Sequence, residues 1–536
     1  MEKKVALITG ITGQDGAYLA SFSSGGFHGG GFMMVTRGLC GKRLRRCRRA
    51  WRCARIVLAA LTGTAAMPAA ALPWADPGDV RLRHDIELLR DEGVLAVPVT
   101  TWPLSWPDLV LALQRAGAVD LGAPANAAFI RLRRAGRMAA RRGWSPPTVS
   151  LRGDADPVDY RWFADTPRER GEIRGQVGWL GDRTVARLRL AMVAGPDDGR
   201  RVRLDGSYLG ATFGNWMISL GAQPRWWGPG WEGSLILSTN ARPVPALAIQ
   251  RKHSEPFRWP VLKWLGPWTL VFFTGVLEEA RAVPHALLTG LRLSFSPHPT
   301  LEIGLSRSAQ WGGRGRPRDL DTFLNLMLGR DNRDEIAGGA AREPGNQLGG
   351  MDLRWRLPGL PVVTWLQLIG EDEAGGLPSR PIGQVGASLW GRGGMGASWR
   401  LWLEFADTAA SFLRRQPLFN YAYEHGIYRS GYRYRGRSLG HGIDGDGRLI
   451  SAGGIWIGPD GRTLSAALRR ADINRDGRGA HPLGSAQRRL RAEAAVWYPW
   501  RVGIAFSGGI AAERTTSPAA GTATDITVWF ELSIRP

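Results

Sequence analysis

The chain has 536 residues, enough for several ordinary domains or for one large barrel with a small accessory domain. Its formal net charge of +23 indicates an anionic partner, and only five of its 70 basic residues are Lys. Arg is a planar, bidentate donor that suits carboxylates and phosphates. The three cysteines all fall within residues 40–53, which argues against a disulfide framework or a cysteine metal site in the rest of the chain.

Residues 1–20 have the pattern of a short apolar strand that runs into Gly10, Gly13 and Gly16. Glycines at this spacing let backbone N–H groups approach a pyrophosphate. The segment resembles the N-terminus of GDP-mannose 4,6-dehydratases. After residue 20 the chain has no acidic residue until Asp76, and it has no Tyr-x-x-x-Lys pair. We therefore interpret residues 1–32 as a truncated, non-native dinucleotide-binding-like fragment with vestigial glycines, and we expect no cofactor.

Residues 33–71 have the layout of a secretory signal peptide. A basic stretch from Lys42 to Arg55 precedes an apolar, Ala-rich stretch from Ile56 to Ala71. Ala69-Ala70-Ala71 offers a cleavage site before Leu72. A membrane-anchoring helix is the alternative, but the apolar stretch is short for a bilayer span. The pattern therefore predicts export from the cytoplasm.

Residues 72–150 show helical periodicity and predict a small periplasmic helical bundle. One helix begins after Asp79 and ends before Gly93. A second begins at the N-cap Ser105, with a proline and an acid in its first turn. A third spans residues 127–142.

After residue 165 the hydrophobic period changes from that of a helix to that of a strand. Strands of about 10 residues, an export signal, and Trp or Tyr near strand ends favour an outer-membrane barrel over a soluble sandwich, which also alternates. Residues 165–536 supply about 18 strands. The predicted fold class is mainly β: a large antiparallel transmembrane outer-membrane β-barrel that comes after the small N-terminal helical bundle. The clearest alternating segments are 173–179, 353–357, 399–405, 490–496 and 526–534.

Four segments together resemble the Wzi capsule-assembly family: residues 85–93, 101–106, 220–231 and 431–441. The resemblance covers about residues 75–536. It implies an outer-membrane barrel with a periplasmic helical bundle. It also implies a lectin-like, non-enzymatic role in which the protein holds capsular polysaccharide at the cell surface.

The run from Arg225 to Trp231 is the most distinctive of these segments, because a rigid turn carries three indoles beside a guanidinium. Flat rings pack on the apolar faces of sugars, and Arg binds uronic-acid carboxylates in bidentate fashion. Structural packing or a membrane-interface belt is the alternative role for these indoles. The candidate carbohydrate-binding residues are Arg225, Trp226, Trp227, Trp231, Asn240, Arg242, Arg281 and His285.

Two other patterns are weaker. Residues 472–477 copy the first half of a calcium loop, but Leu483 stands where a bidentate Glu is required, so a hairpin turn is favoured. Glu278 and Glu279 are adjacent, and adjacent strand residues point to opposite faces, so they cannot flank one glycosidic bond. We therefore predict no metal site and no catalytic residue.

The sequence as a whole predicts a monomer in the outer membrane of a Gram-negative bacterium. The expected partners are an acidic capsular or exopolysaccharide and outer-membrane lipid, and not nucleic acid. An anion-selective, porin-like channel is the first alternative, since a basic lumen also selects anions. A GDP-mannose 4,6-dehydratase is the second, and it rests on the N-terminus only.

Overall fold

The structure is a computed structural model, and it describes residues 73–117, 122–327, 345–374, 377–410, 412, 416–478 and 481–535. The dehydratase-like fragment, the signal peptide and the three cysteines lie outside the described residues. The helices are α1 (Val80–Asp91), α2 (Trp106–Ala116), α3 (Ala123–Ala139), α4 (Pro260–Lys263) and α5 (Leu320–Met327). None of these helices, in the ranges above, is long and apolar enough to cross a membrane.

Antiparallel strands make up most of the chain. They are β1 (Trp74–Ala75), β2 (Thr101–Trp102), β3 (Leu104–Ser105), β4 (Gly143–Trp144), β5 (Thr148–Asp154), β6 (Gly171–Leu180), β7 (Thr184–Ala194), β8 (Val202–Arg203), β9 (Tyr208–Phe213), β10 (Trp216–Gly221), β11 (Trp226–Trp227), β12 (Ala246–Arg251), β13 (Trp268–Val276), β14 (Leu287–His298), β15 (Leu301–Trp311), β16 (Gly345–Arg356), β17 (Val362–Gly370), β18 (Asp372–Ala374), β19 (Leu377–Ser379), β20 (Ile382–Arg392), β21 (Ser398–Asp407), β22 (Arg433–Tyr434), β23 (Arg437–Ser438), β24 (Arg448–Ile457), β25 (Thr463–Ile473), β26 (Gln487–Arg501), β27 (Ile504–Ser517) and β28 (Gly521–Ile534).

Neighbouring strands pair in sequence order, and β28 pairs with β5 to close the barrel. The short strands β4 and β5 both pair with β6, and β8 and β9 both pair with β7. When each of these two pairs is counted as one strand position, the wall has 18 strands. The predicted barrel of about 18 antiparallel strands is confirmed. It begins at Gly143, earlier than the predicted residue 165. The apolar–polar alternation of residues 143–154 is short and is interrupted by Pro146-Pro147, so it did not predict strands. Within this segment, Arg152 on β5 faces inward and pairs with Glu531 on β28 at 3.2 Å.

The two ends of the barrel differ in the length of their connections. At one end the turns are as short as residues 214–215, 299–300 and 502–503; at the other, residues 222–245 and 408–447 form long loops. This asymmetry is typical of outer-membrane barrels, whose periplasmic turns are short and whose extracellular loops are long.

The outer face of the wall carries apolar side chains, as the alternation predicts. Leu188, Leu403, Leu468 and Ile510 are among many outward residues that are more than half exposed. The exposed tryptophans of the described residues cluster at the short-turn end, as in the interfacial girdle of a membrane barrel. These are Trp144, Trp259, Trp264, Trp355, Trp456 and Trp500.

The three N-terminal helices pack at the short-turn end, and α1 enters the lumen. The Asp79 carboxylate caps α1 by accepting N–H groups at 3.0 and 3.1 Å. Ser105 caps α2, as predicted. The third helix spans Ala123–Ala139 and so begins and ends earlier than predicted. Its early start has a local cause, because Pro124 lies in the first turn, where proline favours the beginning of a helix. His84 on α1 is fully buried and lies 3.0 Å from Ser398 on the wall.

Buried ion pairs join α1 to the wall. The Asp91 carboxylate accepts from Arg354 at 2.8 Å and from Arg400 at 2.6 Å. Burial alone would raise the pKa of Glu87, but the guanidinium groups of Arg83, Arg400 and Arg354 hold that pKa at about 2. The helix is therefore fixed by charges that have no access to water.

We expect Asp91→Asn to lower the free energy of unfolding by about 3–5 kcal/mol, because it removes the nearer of the two carboxylates that face the buried guanidinium groups of Arg354 and Arg400 and leaves each with Glu87 at 3.7 Å. Denaturant unfolding of the barrel in detergent, followed by heat-modifiable gel mobility, measures the effect. Asp182→Asn is the matched control, since Asp182 pairs with Arg142 in solvent and its side chain is 77% exposed. Equal stability of the two variants would contradict this role for Asp91.

Candidate functional site

The long connection from β10 to β12, residues 222–245, folds into the lumen and is here called the inner loop. Its strand β11, Trp226–Trp227, pairs with β2, Thr101–Trp102, from the N-terminal region. Trp226 and Trp227 are both fully buried. The predicted sugar-binding indoles therefore lie in the protein interior, and their placement favours the packing role that the sequence left open.

The barrel wall holds the inner loop through one carboxylate. Glu404 on β21 accepts the backbone N–H groups of Trp231, Glu232 and Gly233 at 2.8, 3.1 and 3.1 Å. Gln384 donates to Glu404 at 2.7 Å and to the Gly233 carbonyl at 3.1 Å. Three consecutive amides around one buried carboxylate fix the turn of the loop.

Helix α1 holds the same loop from the other side. The Arg83 guanidinium donates to the carbonyls of Pro229 at 2.6 Å and Gly230 at 2.8 Å. Its centre also lies 4.3 Å from the ring centroid of Trp231. Burial lowers the pKa of Arg83 from its usual value, although Glu87 opposes this shift. The inner loop is thus clamped between the helix and the wall.

The connection from β21 to β24, residues 408–447, covers the inner loop and is here called the lid loop. The hydroxyl of Tyr423 donates to the Leu235 carbonyl at 2.7 Å, and that of Tyr432 donates to the Ile236 carbonyl at 3.0 Å. Burial lowers the pKa of His441 to about 3, so its ring is neutral at pH 7. The long-loop end of the barrel is therefore packed with buried aromatic and polar side chains.

Three further predicted residues support these loops. Arg225 is buried, its guanidinium lies 4.3 Å from the Phe273 ring centroid, and burial lowers its pKa to about 10. Asn240 is buried and donates to the Ser438 carbonyl of the lid loop at 3.1 Å. Arg242 forms a bidentate pair with Asp205 at 2.7 and 2.8 Å. Each of these groups is already engaged within the protein.

Arg281 and His285 lie at the rim, where three loops meet. Arg281 donates to two carbonyls of the lid loop, those of Gly431 at 3.2 Å and Arg433 at 3.1 Å. The His285 side chain is 44% exposed, which makes it the most accessible of the eight predicted residues. Around it stand guanidinium groups on exposed residues. We call His285, Arg314, Arg318 and Arg429 the rim patch.

Three of the four rim residues, all of them Arg, were not among the binding residues predicted from the sequence. Arg314 and Arg318 belong to the run Arg-Gly-Arg-Pro-Arg, whose glycine and proline predict a loop. This charged loop signal could have identified both residues. Hydrogen bonds bring this run to the rim, because the Arg314 N–H donates to the Pro284 carbonyl at 2.8 Å. The Ala282 N–H likewise donates to Ser430 Oγ at 2.9 Å and brings Arg429 near.

The two weaker patterns have structural roles. Residues 474–477 form a turn, and the neighbouring Asp472 pairs with Arg488 at 2.8 Å on the adjacent strand. Glu278 lies 3.5 Å from Arg281, and Glu279 lies 3.1 Å from Arg314. These carboxylates neutralise neighbouring Arg residues.

Comparison with known proteins agrees with this architecture. A family model described as capsule assembly protein Wzi matches residues 166–527, more than half of the chain. The chain belongs to the Wzi family. The chain is 34% identical over 329 residues to an uncharacterized 55.8 kDa protein in the cps region of Klebsiella pneumoniae. That alignment covers 59% of this chain and 62% of the relative, so the chain spans less than two thirds of it.

A solved structure is also similar to this chain. It is that of Wzi from Escherichia coli, described as an outer membrane protein involved in group 1 capsule assembly and as a carbohydrate-binding β-barrel. The identity is 27% and the TM-score 0.77, with 87% of this chain and 100% of that chain covered.

Gly230→Ala tests the clamp on the inner loop. A Cβ atom at this position would overlap the Gln384 amide nitrogen and the Gly233 carbonyl oxygen, so the loop must shift away from Glu404. We expect a loss of about 1–3 kcal/mol in the free energy of unfolding. Gly175→Ala is the control, because a Cβ there meets nothing within 4 Å. If both variants unfold at the same denaturant concentration, the fit around Gly230 is not tight.

Acid should loosen the lid loop. His441 has a pKa of about 3 in the folded protein and about 6.5 when unfolded. Because the unfolded chain then binds more protons, the stability of the fold is full above pH 6.5 and decreases as the pH falls below it. Asp446, whose pKa burial raises to about 6, acts in the opposite direction over part of this window. We expect His441→Gln to lose less stability than the wild type between pH 7 and pH 5. Parallel losses in the two proteins would show that His441 does not contribute.

Proposed function

We propose that this Wzi-family barrel resides in the outer membrane and binds an acidic capsular or exopolysaccharide. It holds the polymer at the cell surface as a non-enzymatic, monomeric lectin, after export by the signal peptide at residues 33–71. The observation that carries the proposal is the rim patch on the long-loop end of a Wzi-family barrel. The carbohydrate binding of the Escherichia coli structure and the cps-region location of the Klebsiella relative support it.

The rim patch has the chemistry that an acidic polymer requires. The Arg314 side chain is 66% exposed, and Arg318 and Arg429 are exposed as well. The ion pair of Arg314 with Glu279 lies in solvent, with Glu279 67% exposed, and such a pair is weak enough for a polymer carboxylate to replace it. Guanidinium groups bind carboxylates in bidentate geometry, and several on one surface bind a repeating polymer through many weak contacts. His285 adds a ring beside them. Of the predicted residues, His285 is therefore proposed to contact glycan, while the other seven position the loops.

The lumen favours this function over a porin-like channel. Helix α1 occupies the lumen at the short-turn end, and the inner and lid loops fill the long-loop end. The lumenal Arg residues that an anion channel would need, such as Arg292 and Arg400, form ion pairs with Asp352 and Asp91 at 2.6 Å. We therefore expect little conductance in a planar bilayer.

Replacing the rim cations tests the proposed function. We expect the triple variant Arg314→Ala, Arg318→Ala, Arg429→Ala to bind an acidic polysaccharide such as polygalacturonate about tenfold or more weakly, because three carboxylate contacts are lost. Surface plasmon resonance on the detergent-solubilised protein, at two salt concentrations, measures the affinity.

The matched control changes the same charge at the other end of the barrel. Arg133, Arg134 and Arg137 are exposed on α3, and Ala is compatible with a helix at these positions. We expect the triple Ala variant at these three positions to bind the polymer as the wild type does. Equal weakening in both triple variants would indicate a general charge effect, and unchanged binding in the rim variant would contradict the proposal.

A further inference from the structure

A cavity of about 640 Å³ lies inside the barrel, between the N-terminal helices and the wall made by β24 to β28. This volume is within the range of ligand pockets, about 300–1,000 Å³. The cavity exists because inward positions on this side of the wall carry small side chains. They are Ser465 and Ala467 on β25, Ala495 on β26, and Ala505 and Ser507 on β27.

The opposite wall is different, because its inward positions carry long side chains that fasten the N-terminal region. Arg354 and Arg400 reach Asp91 on α1, and Arg292 reaches Thr100 and Thr101 at 2.8 Å. One half of the barrel therefore holds the helices, and the other half leaves space beside them. We call that space the lumenal cavity.

The lumenal cavity opens toward the short-turn end. Asp79 at the start of α1 and Arg535 after β28 line it, and both are exposed. Its far end lies under the inner loop, where Trp231, Glu232 and Phe163 are buried. The cavity is thus separated from the rim patch by the inner loop and the lid loop.

Seven tryptophans line the lumenal cavity, an unusual concentration of indoles around one space. Arg81 lies 3.5 Å from the Trp497 ring centroid and Arg469 lies 3.7 Å from that of Trp162, contacts that hold these rings in place. Trp529 is 8% exposed, and its Nε1 has no hydrogen-bond partner among the described residues. That nitrogen is itself shielded from the cavity, so Trp529 contributes its ring and not its N–H group to the lining.

The charge of the lining decides what kind of ligand fits. Six carboxylates face four guanidinium groups, and three of those guanidinium groups are paired with carboxylates: Arg81 with Asp79, Arg189 with Asp76, and Arg469 with Glu232. The other carboxylates of the lining are paired with guanidinium groups behind it: Asp165 with Arg174 at 3.2 Å, Glu493 with Arg491 at 3.4 Å and Glu531 with Arg152 at 3.2 Å. The charges of the lining are therefore already balanced, and an acidic sugar buried there would find little positive charge to pair with. Carboxylates accept hydrogen bonds from hydroxyl groups, and indole faces pack on the C–H faces of pyranose rings.

We infer that the lumenal cavity binds a short, neutral oligosaccharide that reaches it from the short-turn side. The inference rests on the proposed polysaccharide-binding function and gives it a second site that, unlike the rim patch, takes uncharged sugars. In this arrangement, uncharged sugar rings bind among the indoles and carboxylates of the lumenal cavity, and acidic sugar rings bind at the rim patch. An acyl chain is a poorer occupant, because six carboxylates would lose solvation against it.

Calorimetric titration of the full chain with maltotriose, in a zwitterionic detergent without a sugar headgroup, tests the inference. We expect maltotriose to bind and trigalacturonic acid to bind the same site about tenfold more weakly, because the carboxylates of the acid would lose solvation in a lining whose guanidinium groups are already paired. Trp529→Ala removes one indole from the lining, so we expect it to weaken maltotriose binding by about threefold to tenfold. Absence of maltotriose binding at millimolar concentration would overturn the inference.

Neighbouring residues on β26 provide a matched pair of variants. Ala495 faces the cavity, and Ala494 is exposed on the outer face. We expect Ala495→Trp to fill the space and weaken maltotriose binding by about tenfold or more, and Ala494→Trp to leave it unchanged. Should Ala495→Trp fail to give a heat-modifiable barrel, Ser507→Phe fills the same cavity from β27. Normal maltotriose binding in a folded cavity-filling variant would overturn the inference.

The rim triple variant separates this inference from the proposed function. It should lose polygalacturonate binding and keep maltotriose binding, whereas Ala495→Trp should do the reverse. If polygalacturonate binding does not depend on the rim while maltotriose binding depends on Ala495, the proposed function fails and the lumenal site stands.

Discussion

A helix inside a β-barrel must satisfy the polar groups of the wall that it covers, and in this protein charges satisfy them. Asp91 on α1 accepts from Arg354 and Arg400, which reach it from two different wall strands. On the same helix, the Arg83 guanidinium donates to two carbonyls of the inner loop and so links α1 to that loop. Because all of these groups are buried, removing one leaves its partners charged and unsolvated. The position of the inner loop therefore depends on the position of α1.

The lid loop in turn depends on the inner loop, since the hydroxyl groups of Tyr423 and Tyr432 donate to inner-loop carbonyls. The rim patch depends on the lid loop, because Arg281 and Ser430 tie the rim loops to it. One chain of contacts thus runs from the helical bundle at the short-turn end to the surface at the long-loop end. A surface held in this way meets a polymer with little loss of conformational entropy on binding.

The sequence predicted the strands well because period-two alternation is local information, and each inward or outward position can be inferred from its neighbours. The apolar stripe after Asp79 and the N-cap at Ser105 likewise identify helix starts within a few residues. The site was harder to predict. Trp226 and Trp227 have the residue type of a sugar platform, but their burial arises from pairing with Thr101–Trp102, more than a hundred residues away. The acceptor role of Glu404 has the same long-range origin, and the small residues that open the lumenal cavity are scattered over three strands.

Retention of polysaccharide by living cells tests the central claim most directly. In a strain that lacks this gene, complemented with the wild type or with the rim triple variant, cell-attached and released polysaccharide are measured separately, with surface levels of the barrel matched. The account predicts that the wild type restores attachment, and that the rim variant releases polymer into the medium while total synthesis stays constant. Attachment that is equally complete with the rim variant, or attachment that never depended on the barrel, would contradict it.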